Sequence, residues 1–373
     1  MSTLLRDVFN LETVTGLADR IIPNYPQFDR EAFITESTKG FDEISFGERL
    51  EQITDTLKTH MPDDYETTVN ILLNSLTGEL GYSDDFKFEN RLFINTTLTR
   101  YVSKYGIDNF HLSINALKEM TKSFTSEYDI KYFIDKYQNE CVDIMTEWAD
   151  DENLHVRRLA SEGSRPRLPM GKQTKAFIKD PTPILPILEK LKNDPVLYVR
   201  RSVANSLNDI SKDHPDLAAD IADRWFKEGF EHSEYVCNHA MRTLFKEGHR
   251  KALNMAGYSE PKGIEVWGID IKNTTLRLGG ELDFSFVLDN NSAEDMKLMI
   301  DYEILFVKNS KKLSPKVFKL KKTTLKSGKK LKLFAKFKFE ERTTRKLYSG
   351  KHYVRVIVNG ERHSPVGFYL HAE

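Results

Sequence analysis

Asp151-Glu-Asn-Leu-His-Val-Arg-Arg158 and Asp194-Pro-Val-Leu-Tyr-Val-Arg-Arg201 carry the same Asp, Leu, Val, Arg and Arg in the same places. A weaker third copy runs from His232 through Tyr235, Val236, Cys237 and Asn238. The shift is 43 residues from Val156 to Val199 and 37 from Val199 to Val236. Recurrence at this period inside helical sequence marks helix pairs that stack, HEAT-like, into a solenoid. No single pair buries its apolar face; neighbouring pairs do, and the stack offers an extended surface.

Outward from the repeats, helical periodicity holds up to about residue 258. From Glu43 to Met61, Ile44, Phe46, Leu50, Ile53 and Leu57 recur mostly at three- and four-residue spacings, and Tyr65, Val69, Leu72, Leu73 and Leu76 do so from Tyr65 to Leu76. Pro and Gly gather between such runs, at Pro23/Pro26, Gly78/Gly81 and Pro181/Pro183/Pro186. At Pro261 the pattern changes. Ile264–Ile271, Leu282–Leu288, Leu298–Val307, Lys316–Leu320, Leu331–Phe339 and His352–Asn359 are short, mostly β-branched or aromatic, and separated by turn signals such as Asp289-Asn290-Asn291 and Ser327-Gly328. About seven strands of this kind predict an immunoglobulin-like sandwich without a disulfide. The expected architecture is mainly α: a helical-repeat domain over 1–258 and a basic all-β domain over 262–373.

The 373 residues are 39% hydrophobic and 30% charged, enough apolar material for two cores. The net charge of −1 conceals a split. Residues 262–373 hold 23 Lys and Arg against 13 Asp and Glu, a net of +10, which leaves −11 for residues 1–261. Such asymmetry suggests that one half meets a polyanion. Lys332, Lys336 and Lys338 alternate with apolar residues and so share one sheet face, suited to phosphate contact or, more simply, to solubility and edge protection. Cys141 and Cys237 lack a metal-ligand pattern and are expected to be reduced and inert. No secretory leader and no bilayer-spanning run are read, so a cytoplasmic, nucleoid-associated monomer is expected, without membrane partner, metal or cofactor. P-loop, Rossmann glycine and His-Glu-x-x-His patterns are absent.

Two runs hold the candidate chemistry. Val156-Arg-Arg-Leu-Ala-Ser-Glu162-Gly-Ser-Arg165-Pro-Arg167-Leu-Pro-Met170 leaves a repeat helix through a Gly-Ser-Arg-Pro break. Val199-Arg-Arg-Ser-Val-Ala-Asn-Ser-Leu-Asn-Asp209-Ile-Ser-Lys-Asp-His-Pro215 is the second. Together with Ser126-Glu127-Tyr-Asp-Ile-Lys-Tyr-Phe-Ile134, these runs resemble the AlkC branch of the AlkC/AlkD DNA alkylation repair glycosylases. The resemblance covers essentially the whole helical half, and some AlkC-type proteins also carry a C-terminal immunoglobulin-like domain. It implies excision of cationic N3-methylated bases, such as 3-methyladenine and 3-methylcytosine, from double-stranded DNA, without a deep base-flipping pocket.

Glu127, Glu162 and Asp209 match the family's acids. Breaking the glycosidic bond of a cationic base builds positive charge on the deoxyribose, which nearby carboxylates stabilise while orienting a water. Monofunctional hydrolysis is the expectation. Each acid taken singly also reads as a solvated surface group. An Asp before Val-Arg in HEAT repeats commonly holds an Arg of an adjoining repeat, which assigns Arg157 and Arg200 to the scaffold with Asp151 and Asp194. Arg158 and Arg201, about 100° around the helix, are then expected to hold phosphates with Arg165 and Arg167. His239 and Arg242, three apart, are expected to share a helix face that reaches DNA. Trp148 and Trp225 read as core. Met170 stands where AlkC-type sequences usually have an aromatic, typically Trp, so it is expected to touch the lesion with a weaker apolar contact. The alternatives are a catalytically weak DNA-binding solenoid, for which Met170 speaks, and a protein-binding scaffold.

Overall fold

The computed structural model describes residues 5–82, 89–341 and 346–372. The chain forms two compact units, Met1–Asp213 with Phe230–Ala240, and His214–Gly229 with Met241–Glu373.

The first unit is helical. Several of its helices begin where a side chain caps them. Ser45 and Glu48 form a reciprocal capping box, so the helix expected from Glu43 starts at Phe46 and runs to His60. Residues Phe41–Glu43 instead make a single 3₁₀ turn. The next helix is Tyr65–Asn74, capped by Asp64. The two strong repeat copies open helices Leu154–Gly163 and Leu197–Ile210. In both, the Asp carboxylate accepts the backbone N–H two residues on, Asn153 to Asp151 and Val196 to Asp194, each at 2.8 Å. Leu197–Ile210 packs against Leu154–Gly163 on one side and the third-copy helix Ser233–Ala240 on the other. That is the stacking the repeat implies. Arg157 spans neighbouring copies: its Nε and Nη2 donate to the Asp194 carboxylate at 2.6 and 3.3 Å, and its Nη1 donates to the Asp151 carbonyl at 3.0 Å. Arg200 donates to the Asp194 carbonyl at 2.6 Å. Val156, Leu159, Val199, Val203 and Leu207 are fully buried, and Trp148 is buried with them.

The second unit joins three helices, Pro215–Glu228, Arg242–Glu247 and Arg250–Met255, to nine strands. The strands are β1 (Ile264–Ile271), β2 (Thr275–Arg277), β3 (Glu281–Asn290), β4 (Met296–Val307), β5 (Leu313–Leu325), β6 (Lys330–Lys338), β7 (Gly350–Val358), β8 (Glu361–Arg362) and β9 (Val366–His371). One sheet has the order β1-β3-β6; the other has β2-β9-β7-β4-β5, with β8 on β7. Among the described residues only the β2–β9 pairing is parallel. Alternation buries Leu282, Phe284, Phe286 and Leu288 of β3 against Ile300, Ile304, Val354, Val356 and Phe368. Asn359 ties helices to sheet: its carbonyl accepts from Arg250 at 2.7 Å, its amide donates to the Ser259 and Lys297 carbonyls, and its Oδ1 accepts from the Met299 N–H. Trp225 is buried in this unit. No helix of the described residues is long and apolar enough to cross a membrane.

Candidate active site

The three acids lie on three different segments of the helical unit. Glu127 stands in the turn that leads into helix Ile130–Lys136, Glu162 near the end of Leu154–Gly163, and Asp209 near the end of Leu197–Ile210. Gly163 permits the close approach. A Cβ there would sit 2.9 Å from the Ile130 side chain and 3.1 Å from Met145, so any larger residue would push these helices apart.

Between the acids lie two arginines, and the order of charge alternates. Arg158 donates to Glu127 and, at 2.8 Å, to Thr125 Oγ1. Its other amino group lies 3.6 Å from Glu162. Arg165 donates through Nη1 to Glu162 at 2.6 Å and through Nε to Asp209 at 2.7 Å. Lys212 closes the row on Asp209 at 2.8 Å. The side chains of Glu127 and Glu162 are 8% exposed and that of Asp209 is 1% exposed, so these acids are not solvated surface groups. Burial opposes ionisation of Glu162, but Arg158 and Arg165 outweigh it and hold its carboxyl below the usual range. Burial would likewise drive the Arg158 guanidinium down; Glu127 and Glu162 keep it raised. The Tyr198 ring lies under that guanidinium at 4.9 Å, with Tyr82 stacked on Tyr198 at 5.6 Å. Ionised carboxylates inside the protein are costly unless each has a cation and hydrogen bonds, and here each has both or a paired cation on either side.

Behind the row sits a residue that the sequence reading missed. Lys131 is wholly buried; its ammonium donates to the Arg165 carbonyl and to Thr174 Oγ1 at 3.0 Å. It thereby joins both ends of the loop between Gly163 and Lys175, which the Thr174 N–H closes on the Pro166 carbonyl at 3.0 Å. Burial, helped by Arg165, lowers its pKa to about 7. Tyr128, also missed, stands next to Glu127; burial and that carboxylate push its hydroxyl up to about 12. Both residues stand inside the run quoted around Glu127, but only tertiary packing reveals their partners.

A cleft of about 310 Å³ opens beside this row. Glu127, Arg158 and Met170 line it, together with Phe46, Phe93, Phe124, Tyr128 and Tyr132. Glu162 and Asp209 are not among its lining residues. Met170 is 81% exposed and holds a left-handed backbone, φ 59°.

The arginines depart from expectation. Arg158 and Arg165 do not extend as free phosphate ligands; both turn inward, because carboxylates three or four residues away and on neighbouring elements capture them. Arg167 makes a two-pronged pair with Asp213, both bonds 2.7 Å. Arg201 is exposed, with no ion pair among the described residues. His239 and Arg242 do not share a helix: one helix ends at Ala240 and the next begins at Arg242. His239 hydrogen-bonds Asn205 at 3.0 Å and stacks with Tyr235. Lys332, Lys336 and Lys338 do lie on the exposed face of β6. The register sets Lys336 opposite Asp283 and Lys338 opposite Glu281, and Lys336 bonds Glu281 at 2.8 Å while Lys338 pairs with Glu340. Lys332 covers the exposed Phe334 ring at 5.2 Å.

Both units have counterparts among known proteins. Residues 87–244 match the DNA alkylation repair enzyme family, and residues 265–372 match the C-terminal Ig-like domain of the protein YhaZ. YhaZ of Bacillus subtilis (strain 168) is 36% identical over 367 residues, 98% of this chain and 99% of YhaZ. A solved structure of the alkylpurine DNA glycosylase AlkC of Pseudomonas fluorescens, bound to DNA containing an abasic-site analogue, is 34% identical and superposes with a TM-score of 0.90 over 99% of this chain and 100% of that one. With likeness of this order running end to end through both units, the chain belongs to the DNA alkylation repair enzyme family, in its AlkC-type branch with a C-terminal immunoglobulin-like domain.

Proposed function

We propose that the protein is a monofunctional DNA glycosylase that hydrolyses the N-glycosidic bond of cationic N3-alkylated bases, 3-methyladenine and 3-methylcytosine, in double-stranded DNA. The observation that carries this reading is the buried alternation Glu127–Arg158–Glu162–Arg165–Asp209 beside an open cleft. An N3-methylated base already bears the charge that makes it a good leaving group, so the protein has little base polarisation to supply. What it supplies is fixed negative charge for the oxocarbenium-like sugar, in a site where the charges need no reorganisation. Arg158 and Arg165 favour the ionised form of Glu162 and hold the three carboxylates in place. Thr125 and Arg158 take two of the roughly four acceptor positions of the Glu127 carboxylate, leaving room for a water that attacks C1′. Glu162 and Asp209 act from behind, through the field they share with Arg158 and Arg165. Arg201 and Arg167, with the lysines of β6, supply contacts to phosphate.

The test is incubation of the purified protein with N3-methylated duplex DNA and chromatography of the released base. Free 3-methyladenine or 3-methylcytosine above the spontaneous rate is expected. Binding of the same duplex without base release would leave a DNA-binding protein and remove the enzymatic reading.

A further inference from the structure

The cleft beside Glu127 is larger than a water site and carries its own chemistry. At about 310 Å³ it stands at the small end of ligand sites and has room for a heterocycle. Its walls are mainly rings: Phe46, Phe93, Phe124 and Tyr128. Its charges are balanced and already engaged. Arg100 bonds Glu51 at 2.6 Å, Lys172 pairs with Asp135, and Arg158 pairs with Glu127. A phosphate entering here would have to break those pairs. Asp129, also on the wall, is buried, and it accepts 2.6 Å hydrogen bonds from Thr99 and Ser103, with no cation bonded to it among the described residues. Its remaining acceptor positions, with those of Glu127, suit an N–H donor at the edge of a flat ligand.

We propose that this cleft receives the departed base: a neutral, planar N3-methylated purine or pyrimidine, stacked on the cleft's aromatic rings and donating its exocyclic amine to a carboxylate. The inference rests on the glycosylase reading above. In that reaction the C1′–N bond breaks and its electron pair leaves with the base. The base carried one positive charge in the nucleotide and is neutral once free. Water adds to C1′ and its proton passes to solvent. A neutral product fits a neutral, ring-lined cleft that shares Glu127 and Arg158 with the acid row. Capture there separates the base from the sugar without any need to flip the intact nucleotide beforehand.

The experiment is calorimetric titration of the full-length protein with free 3-methyladenine, beside the base-release assay on the same preparation. Saturable binding at one site per chain is expected. Phe93→Ala should weaken it by about tenfold or more, as loss of a stacking ring does for a bound base, while Phe93→Tyr retains it. Leu50→Trp, which fills the cleft without adding charge, should produce the same loss as Phe93→Ala, and melting curves identify any variant that fails to fold. Affinity for abasic-site duplex should stay within about twofold in all three variants. A preparation that releases base from methylated DNA but shows no saturable binding of the free base overturns this inference and leaves the glycosylase intact. Equal affinity for the base in wild type, Phe93→Ala and Leu50→Trp also overturns it. Failure of base release in the wild type removes the glycosylase reading and this inference with it.

Discussion

Lys131→Met should change how stability depends on pH. A free lysine titrates at 10.5, and inside this protein the group is lowered to about 7 by burial and Arg165, against the pull of Glu162, Asp209 and Asp135. Between these two values the unfolded chain binds a proton that the folded chain does not, so stability rises with pH through that window. Below pH 7 both states hold the proton and the folded state bears the full cost of keeping it buried. The displacement corresponds to roughly 4–5 kcal/mol in total. From pH 6 to pH 9 the wild type recovers roughly 2–3 kcal/mol of it, and Lys131→Met, with nothing to titrate, recovers none. Methionine also strands the Arg165 carbonyl and the Thr174 hydroxyl, a loss of roughly 1–3 kcal/mol each that is the same at every pH. The assay is urea unfolding followed by helical circular dichroism at pH 6, 7, 8 and 9. The stability difference, wild type minus variant, should climb with pH and steepen above pH 7. A flat difference would show that Lys131 is charged throughout, and the account of its burial would be wrong.

The other expectations concern chemistry and contact. Glu127→Gln and Glu162→Gln should each lower single-turnover base release by about 10²–10³ while duplex binding persists, since each removes one fixed charge opposite a developing one; parental rates in both would remove these acids from the mechanism. Met170→Trp should raise the rate on at least one cationic lesion, by about 0.5–2 kcal/mol in barrier, because an aromatic face at this exposed position meets the cation better than a thioether; unchanged or lower rates on both bases would show that Met170 suits its surroundings. Replacing Lys332, Lys336 and Lys338 together by Gln should flatten the slope of log K against log salt by at least about one, as loss of one or two phosphate contacts does. An unaltered slope would mean that these lysines serve their neighbours on the sheet and not DNA.

Much of the fold was legible because its signals are local. The Asp-x-x-Leu-x-Val-Arg-Arg copies open two stacked helices with the same turn, and alternation located six of the nine strands. Of the three left out, β2 and β8 have three and two residues, too few to show a period, whereas β9, with six, went unread. The acids were legible through resemblance, and burial now distinguishes them from ordinary surface glutamates. The directions of the arginines were not. Arg158 and Arg165 stand four and three residues from Glu162, which permits pairing along a helix, but their bonds to Glu127 and Asp209 depend on contacts across 31 and 44 residues of chain. Lys131 was hidden for the same reason: its partners lie 34 and 43 residues away. The β6 lysines needed strand register before their neighbouring acids could be seen. The break at Met241, which separates His239 from Arg242, falls within an uninterrupted run of helix-compatible residues.

Met170 has a consequence for substitution at its position. Its backbone is left-handed, a state that costs a residue other than glycine, asparagine or aspartate roughly 1–2 kcal/mol, while its side chain is almost wholly in solvent. The position thus separates two requirements that most sites combine. The loop dictates the strained conformation whichever large residue stands there, and the exposed side chain can be exchanged without repacking anything beneath it. Different apolar or aromatic groups can therefore stand at 170 while the acids and arginines stay as they are. Glycine or asparagine would relax the backbone and remove the exposed thioether, so the conformation and the side chain at this position can be altered separately.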